Sequence, residues 1–233
     1  APSLARGPRL DPIGDERSHK RDFDGVKGHR AKMHRMWLRS DRRGEQGFLY
    51  APIDMSISVD LLRHGETTYM GDFCGRTDAP LTPEGLARMW TAVGGTRWPR
   101  VISSPLARCA AFARAYAQRH GVSLHLDARL REIDFGEWEG CTSAEIMARD
   151  RARLAGFWDD PLRHSPPGGE SLSAVRTRVL AAWTDIGAER QSALVVTHGG
   201  PIRVLLCRAR HHPLERLLEL DVPHASLWCL TAS

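Results

Sequence analysis

The chain divides into two regions by its pattern of apolar and polar residues, with the boundary near residue 55. Residues 1–54 mix charged residues, glycine and proline with isolated apolar side chains, and show no sustained helical or strand period. From Ser56 onward, short apolar runs of strand type alternate with segments of helical period. Such alternation is typical of an α/β fold with a mostly parallel sheet. We therefore predict an α/β domain over residues 55–233.

Five strands and five helices are predicted in this domain. A hydroxyl residue followed by proline favours a helix start, which places N-caps at Thr82, before Pro83, and at Ser104, before Pro105. The other helices are predicted to begin near Ser143, to extend over residues 171–189, and to begin at Pro201. The strands are predicted at residues 56–63, 100–103, 123–126, 193–197 and 226–231.

Residues 1–54 carry most of the net positive charge. They hold 12 of the 33 basic residues and 8 of the 28 acidic residues, so the rest of the chain is nearly neutral. A segment with so little apolar surface cannot offset the entropy of ordering, and we expect it to be largely disordered. Two interpretations stay open: a basic arm that binds nucleic acid or another anionic partner, or a segment without a role in the fold.

The apolar runs and the cysteines indicate the cellular compartment in which the protein is expected. No apolar run approaches the roughly 18 to 20 residues needed to span a bilayer, and no apolar leader of the secretory type is visible. The five cysteines are scattered and odd in number, which argues against a disulfide framework and against a cysteine-based zinc site. We expect a cytoplasmic protein with reduced thiols and no membrane partner.

Basic side chains follow three of the predicted strands at the point where each strand ends. Arg63 and His64 follow the first strand, Arg108 lies early in the helix after the second, and His198 follows the fourth. Because the carboxyl ends of parallel strands meet at one edge, where ligands bind, these side chains are expected to converge. The stretch LREIDFGEWEG adds four acids, Glu132, Asp134, Glu137 and Glu139.

This set of residue types suits the transfer of a phosphoryl group to a histidine. Guanidinium groups bind phosphate oxygens bidentately, one imidazole attacks phosphorus, and a carboxylic acid protonates the leaving oxygen. The attacking imidazole must be neutral, and neighbouring cations, among them a protonated His198, would lower its pKa. Gly65 and Gly199 allow backbone N–H groups to approach a phosphate closely. Which of the four acids donates the proton stays open on this reasoning.

The motifs, taken in order, resemble those of the histidine phosphatase superfamily, the phosphoglycerate-mutase-like enzymes. The matching stretches, between about residues 57 and 206, are LLRHGET, DAPLTPEG, ISSPLARCAAFA, LREIDFGEWEG and VTHGGPIR. The resemblance implies a three-layer α/β/α sandwich and a catalytic domain that needs no metal or cofactor. It also implies a small phosphorylated metabolite as substrate, with no nucleic acid, and a monomer or homodimer.

The resemblance also assigns roles to individual positions. It implies that His64 is the phosphohistidine nucleophile and that Glu132, rather than Glu137, is the proton donor. It further implies a catalytic phosphate pocket that contains Arg63, Arg108 and His198.

One position departs from the family pattern. Many members carry an asparagine six residues after the nucleophile, where this chain has Met70. The pocket therefore loses one donor unless Thr67 or the backbone near Gly75 replaces it. The expected substrate-binding residues are Arg63, Thr67, Gly75, Arg108, His198 and Gly199.

Within the superfamily, the stretches VDLLRHGET, FCGRTDAPLT and FWDDPLRHSPPGGES are most similar to the α-ribazole phosphatases of cobalamin biosynthesis. This similarity implies removal of the 5′-phosphate from α-ribazole 5′-phosphate or from the corresponding adenosylcobalamin phosphate. A phosphoglycerate mutase is less favoured, because mutases have a longer insertion than the 66 positions between Glu132 and His198. A broad-specificity sugar-phosphate phosphatase, a non-catalytic sensor of phosphorylated ligands and a nucleic-acid-binding protein are three further functions that the sequence leaves open.

Overall fold

The computed structural model describes residues 56–69 and 71–232, which contain one five-stranded sheet. Its strands are β1 (Ile57–Arg63), β2 (Arg100–Ser103), β3 (Ser123–Leu126), β4 (Ala193–Thr197) and β5 (Leu227–Ala232). They are ordered β3-β2-β4-β1-β5; the first four are parallel and β5 is antiparallel to β1. The predicted mostly parallel sheet is confirmed, and each strand boundary differs from the prediction by at most one residue.

Five α-helices connect these strands. They are α1 (Pro83–Val93), α2 (Ala107–His120), α3 (Ser143–Asp159), α4 (Leu172–Ala188) and α5 (Gly199–Arg210). Thr82 caps α1 as predicted, since its hydroxyl accepts a hydrogen bond of 2.9 Å from the Gly85 N–H. Helices α3 and α4 also begin where predicted, whereas α5 begins two residues before Pro201.

The predicted start of α2 at Ser104 is wrong. The helix begins at Ala107, with Leu106 as the N-cap residue; the Ser104 hydroxyl contacts His198 Nε2 at 2.8 Å and accepts from the Leu106 N–H at 3.4 Å. The Ser104 N–H still belongs to the sheet edge, where it donates to the Val196 carbonyl. The N-terminus of α2 is bound instead by a side chain from an earlier loop: the Asp78 carboxylate accepts from the Ala107 N–H at 2.6 Å.

Two apolar clusters cover opposite faces of the sheet and make three layers. Val59, Leu61 and Val195 point to the cluster that includes residues of α4 and α5. Leu62 and Val196 point to the other face, where α1 and α2 pack. Successive strand residues point to opposite faces, so one apolar run supplies both cores. The expected α/β/α sandwich is confirmed.

Some expectations concern residues outside those described. The disorder and charge-driven binding predicted for residues 1–54 stay predictions, as does the effect of Met70. Within residues 56–69 and 71–232, no helix is long and apolar enough to cross a membrane.

Candidate active site

The carboxyl ends of β1 and β4 place two histidines side by side. His64 follows β1 and His198 follows β4, and these strands are parallel neighbours in the sheet. The two imidazole rings are 5.0 Å apart between centroids. Arg108, in the first turn of α2, reaches the same place and donates its Nε–H to His198 Nδ1 at 3.2 Å. The structure therefore brings three of the candidate side chains into direct neighbourhood.

His64 is held as a neutral imidazole with one free ring nitrogen. Its Nδ1 lies 2.8 Å from the Gly65 carbonyl oxygen, which can only accept, so Nδ1 carries the proton and Nε2 has the lone pair. The side chain is 6% exposed. Burial, followed by the positive charges of Arg108 and Arg63, holds the pKa of His64 well below its usual value. This is the protonation state that a nucleophile requires.

His198 is also neutral, which corrects the expectation of a protonated ring. Its Nδ1 accepts from Arg108, so Nε2 carries the proton and donates to the Ser104 hydroxyl at 2.8 Å. The residue is fully buried. Burial lowers the pKa of His198 well below its usual value, and the neighbouring His64 and Arg108 lower it further. The cation nearest the histidine pair is therefore Arg108.

Arg108 is completely buried and is fixed by a loop over residues 74–77. Its Nη1 donates to the Thr77 carbonyl at 2.7 Å, and its Nη2 donates to the carbonyls of Gly75 at 2.7 Å and Cys74 at 3.1 Å. A guanidinium has five N–H groups, and the contact with His198 occupies a fourth. Among the described residues, Arg108 thus keeps one Nη1 N–H for a ligand rather than the expected bidentate pair.

The same loop is anchored from its other side by Glu139. The carboxylate accepts hydrogen bonds from the N–H groups of Gly75, Arg76 and Thr77 at 3.0, 2.7 and 3.1 Å, and from the Thr77 hydroxyl at 2.6 Å. Burial alone would raise the pKa of Glu139, but these hydrogen bonds outweigh it and the pKa is lowered. From the sequence, Glu139 was one of four candidate acids in the loop. In the structure it holds the loop whose carbonyl groups bind Arg108.

Gly75 and Thr67, two expected substrate-binding residues, have other contacts. The Gly75 N–H donates to Glu139 and its carbonyl accepts from Arg108, so the N–H is not available to a phosphate in this arrangement. A Cβ at Gly75 would lie 2.0 Å from the Ile133 carbonyl oxygen, which explains the glycine. Thr67 is half-buried and pairs through its backbone with Leu81. Gly75 thus helps to hold the loop that binds Arg108, and the substrate-binding role expected for Thr67 stays a prediction.

Arg63 is held by the segment that precedes β5. Its Nη1 donates to the Val222 carbonyl, and its Nη2 lies 2.9 Å from His224 Nε2. The buried Nε of Arg63 has no hydrogen-bond partner among the described residues. Burial, followed by the charge of Arg63, lowers the pKa of His224 to about 4. Among the described residues, Arg63 therefore keeps three N–H groups without a partner, on Nε, Nη1 and Nη2, while the neutral His224 orients its guanidinium.

The free Nε of Arg63 faces the first residue of α5. A Cβ on Gly199 would lie 3.6 Å from this nitrogen and 2.8 Å from Nη1 of Arg203. Glycine at this position therefore lets two guanidinium groups approach the helix start. The N–H groups in the first turn of a helix have no acceptor within the helix. In α5 the Gly200 N–H donates to Glu132, Pro201 has no N–H and the Ile202 N–H donates to the His198 carbonyl, which leaves the Gly199 N–H for an anion.

Of the four acids in the loop after β3, Glu132 lies closest to this helix start. Its carboxylate accepts from the Gly200 N–H at 3.0 Å and from the Ile133 N–H at 3.0 Å. Asp134 pairs instead with Arg76 at 3.2 Å, and Glu137 is exposed. The geometry therefore favours Glu132 over Glu137 as the acid beside the histidine pair. Among the described residues, no group of three or more His, Cys, Asp or Glu side chains could hold a metal ion.

Comparison with known proteins identifies the family. The family model described as histidine phosphatase superfamily (branch 1) matches residues 59–233. The chain belongs to the histidine phosphatase superfamily. The resemblance predicted from the motifs is thereby confirmed, and this member of the superfamily is a phosphatase.

Similar proteins in this superfamily carry different substrate names. A putative phosphoserine phosphatase 2 of Hydrogenobacter thermophilus is 30% identical over 173 residues, which cover 72% of this chain and 85% of that protein. An adenosylcobalamin/alpha-ribazole phosphatase of Salmonella typhimurium is 29% identical over 175 residues, which cover 72% and 82%. The solved structure of Bacillus stearothermophilus YhfR superposes with a TM-score of 0.69 at 28% identity, covering 74% of this chain and 90% of that one.

The lowered pKa values of His64 and His198 predict a loss of stability in mild acid. Above about pH 6.5 both histidines are neutral in the folded and in the unfolded chain. Below this pH they take up protons in the unfolded chain but not in the folded one, where their pKa values are lowered. The free energy of unfolding should therefore fall by up to about 1.4 kcal/mol per pH unit for each histidine as the pH decreases from 6.5 toward the folded pKa values. Urea unfolding at pH 7, 6 and 5 measures this slope.

A variant without one of these titrating groups provides the control. His198→Gln should show a shallower loss of stability with acid, whereas His125→Gln, at an exposed position, should follow the parent chain. Equal slopes for His198→Gln and the parent chain would contradict a neutral buried His198.

Proposed function

We propose that the chain is a phosphomonoesterase that transfers the phosphoryl group to His64 and then to water. The observation that carries the proposal is the fixed tautomer of His64. Its Nδ1–H donates to the Gly65 carbonyl, so Nε2 keeps its lone pair, on a ring that neighbours a second neutral histidine and the charges of buried Arg108 and half-buried Arg63. A neutral imidazole among fixed cations is suited to attack on a phosphate dianion.

The phosphate is bound by donors that the protein leaves open. They include the Nε–H of Arg63, one Nη1 N–H of Arg108 and the Gly199 N–H at the start of α5. They stabilise the negative charge that spreads over the three equatorial oxygens during transfer. His198 keeps Arg108 in place by accepting its Nε–H.

Two steps complete the reaction. His64 Nε2 forms a bond to phosphorus while the P–O bond to the leaving group breaks, and protonated Glu132 gives its proton to the leaving oxygen. Water then attacks the phosphohistidine, the Glu132 carboxylate takes its proton, and the N–P bond breaks to release inorganic phosphate. The hydrogen bond from the Gly200 N–H keeps the carboxyl group at the helix start in both steps.

As substrate we propose a small phosphorylated metabolite, and specifically α-ribazole 5′-phosphate or adenosylcobalamin 5′-phosphate. Three sequence stretches similar to α-ribazole phosphatases support this choice, together with the 29% identity to the Salmonella typhimurium protein. The 30% identity to a putative phosphoserine phosphatase favours phosphoserine as the second candidate. A cytoplasmic location is part of the proposal, and the five free cysteines support a reducing compartment.

Turnover on a panel of substrates tests the assignment. With the full chain, kcat/KM should be highest for α-ribazole 5′-phosphate when it is compared with phosphoserine, 3-phosphoglycerate and ribose 5-phosphate under the same conditions. Equal values across the panel would replace the proposal with a broad-specificity phosphatase. Efficient conversion of 3-phosphoglycerate to 2-phosphoglycerate would instead indicate a mutase.

A further inference from the structure

An apolar cavity of about 270 Å³ opens beside the proposed proton donor. Its lining includes Glu132, Gly200 and Arg203. Its walls are mainly aromatic and aliphatic, with Phe73, Ile133, Phe135, Phe157, Leu172 and Val175 among them. Binding sites for organic molecules commonly combine such walls with a few polar groups at one end.

Three residues that line this cavity, Glu132, Gly200 and Arg203, also lie at the start of α5, next to the proposed phosphate site. The Gly200 N–H holds Glu132, and the Arg203 guanidinium lies against Gly199, the residue that also faces Arg63. A leaving oxygen that takes a proton from Glu132 therefore sits where the cavity begins. The carbon substituent on that oxygen has to extend away from the phosphate, and the cavity offers it a volume.

A second cavity, of about 320 Å³, also borders Glu132 but is polar. Besides Arg131, its lining contains two ion pairs: Arg76 Nη1 lies 3.2 Å from Asp134 Oδ2, and Arg178 Nε lies 2.7 Å from Glu170 Oε1. A polar leaving group would have to replace these ion pairs. A leaving group that enters the apolar cavity does not have to replace such ion pairs. The apolar cavity is therefore the better binding site for a leaving group.

The outer rim of the apolar cavity exposes two large apolar side chains. Trp158 is 44% exposed and Leu218 is 38% exposed, and both line the opening. Among the described residues, Trp158 makes no hydrogen bond and no ring contact. An exposed indole at the mouth of an aromatic cavity is typical of a surface that a ligand covers.

We propose that this cavity receives the leaving group and that Trp158 selects substrates whose leaving group carries an uncharged aromatic ring. The ring stacks on the indole while the alcohol oxygen faces Glu132. Small anionic leaving groups such as serine or glycerate bury little apolar surface there and gain no stacking. This inference rests on the proposed function, because it takes Glu132 as the acid that marks the leaving oxygen.

Matched substrates separate aromatic stacking from simple apolar burial. Benzyl phosphate and cyclohexylmethyl phosphate differ in the ring alone, and glycerol 3-phosphate lacks a ring. The parent chain should have its highest kcat/KM on benzyl phosphate. Trp158→Ala should lower that value about tenfold and leave glycerol 3-phosphate within about twofold, whereas Trp158→Phe should retain most of the preference.

Leu162→Ala is the matched control, since Leu162 is an exposed apolar residue that does not line this cavity. It should leave all three substrates unchanged. If Trp158→Ala lowers kcat/KM equally on the three substrates, or on none, the inference is overturned.

A binding experiment keeps the inference separate from the reaction. The affinities of 2-phenylethylphosphonate and 2-cyclohexylethylphosphonate, which cannot be hydrolysed, are measured by calorimetry on the parent chain and Trp158→Ala. A preference for the phenyl compound that disappears in Trp158→Ala supports the cavity assignment, and its presence in both proteins contradicts it. Absence of phosphate release from every ester by the parent chain would overturn the proposed function, and these affinities would still decide the role of the cavity.

Discussion

His64→Ala should abolish phosphatase activity, with a fall in kcat of at least about 10⁴-fold on p-nitrophenyl phosphate. The reason is that neither histidine next to His64 has a free ring-nitrogen lone pair: His198 Nδ1 accepts from Arg108 and its Nε2 donates to Ser104, and His224 Nε2 accepts from Arg63. The same variant should fail to form an acid-labile phosphoprotein when it is quenched during turnover. Both quantities are measured on the full chain, against the parent protein.

His125→Ala is a suitable control, because His125 is exposed on β3. It should keep both the activity and the phosphoprotein. Circular dichroism establishes that His64→Ala retains the fold. Normal turnover by a folded His64→Ala would show that the phosphohistidine scheme is wrong.

Glu132→Gln should separate substrates by the quality of their leaving group. Alkyl phosphates need a proton on the leaving oxygen, so their kcat/KM should fall by about 10²- to 10⁴-fold, whereas p-nitrophenyl phosphate should lose far less. The amide oxygen of glutamine can still accept from the Gly200 N–H, so the side chain keeps its place at the start of α5. The measurement is a plot of kcat/KM against the pKa of the leaving alcohol, which should be steeper for the variant.

Glu137→Gln is the matched control for this experiment, because it makes the same chemical change in the same loop at an exposed position. Its plot should overlay that of the parent chain. Equal losses of Glu132→Gln on alkyl and aryl phosphates would assign the proton to a different acid. A steeper plot for Glu137→Gln would identify that acid.

Much of the fold was predictable because the pattern of apolar residues in a strand indicates where that strand lies in the sheet. The apolar run Ala193–Val196 is buried on both faces, which marks a central parallel strand, and polar residues directly after such strands meet at one edge. That rule alone placed His64 and His198 together. The strand boundaries followed from the same runs.

His224 was missed because the apolar pattern of β5 does not indicate whether this strand is parallel or antiparallel to its neighbour. In an antiparallel edge strand it is the residues before the strand, not those after it, that reach the edge where the parallel strands end. The His224 ring accordingly lies 5.3 Å from that of His64, and the preceding Val222 carbonyl binds Arg63. Once β5 is known to be antiparallel, the residues at 222–226 become candidates by the same rule.

The start of α2 and the role of Glu139 were missed for a different reason. Ser104 followed by Pro105 is a good local signal for a helix start. In the structure, however, the Ser104 hydroxyl accepts a hydrogen bond from His198, 94 positions away. Glu139 binds a loop that lies 62 to 64 positions earlier in the chain. Local propensity cannot report such partners, because each bond depends on the completed sheet.

The loop between Glu139 and Arg108 sets the electrostatic potential of the site. In the peptide groups Cys74–Gly75 and Gly75–Arg76, each carbonyl points to Arg108 and each N–H points to Glu139. Two aligned peptide dipoles thus separate buried Arg108 from half-buried Glu139, so that each charge is stabilised without a direct ion pair. A carboxylate in contact with Arg108 would have to be displaced by every incoming phosphate. With the dipoles in between, the guanidinium stays electropositive toward the histidines, and an anion can bind without first breaking a salt bridge.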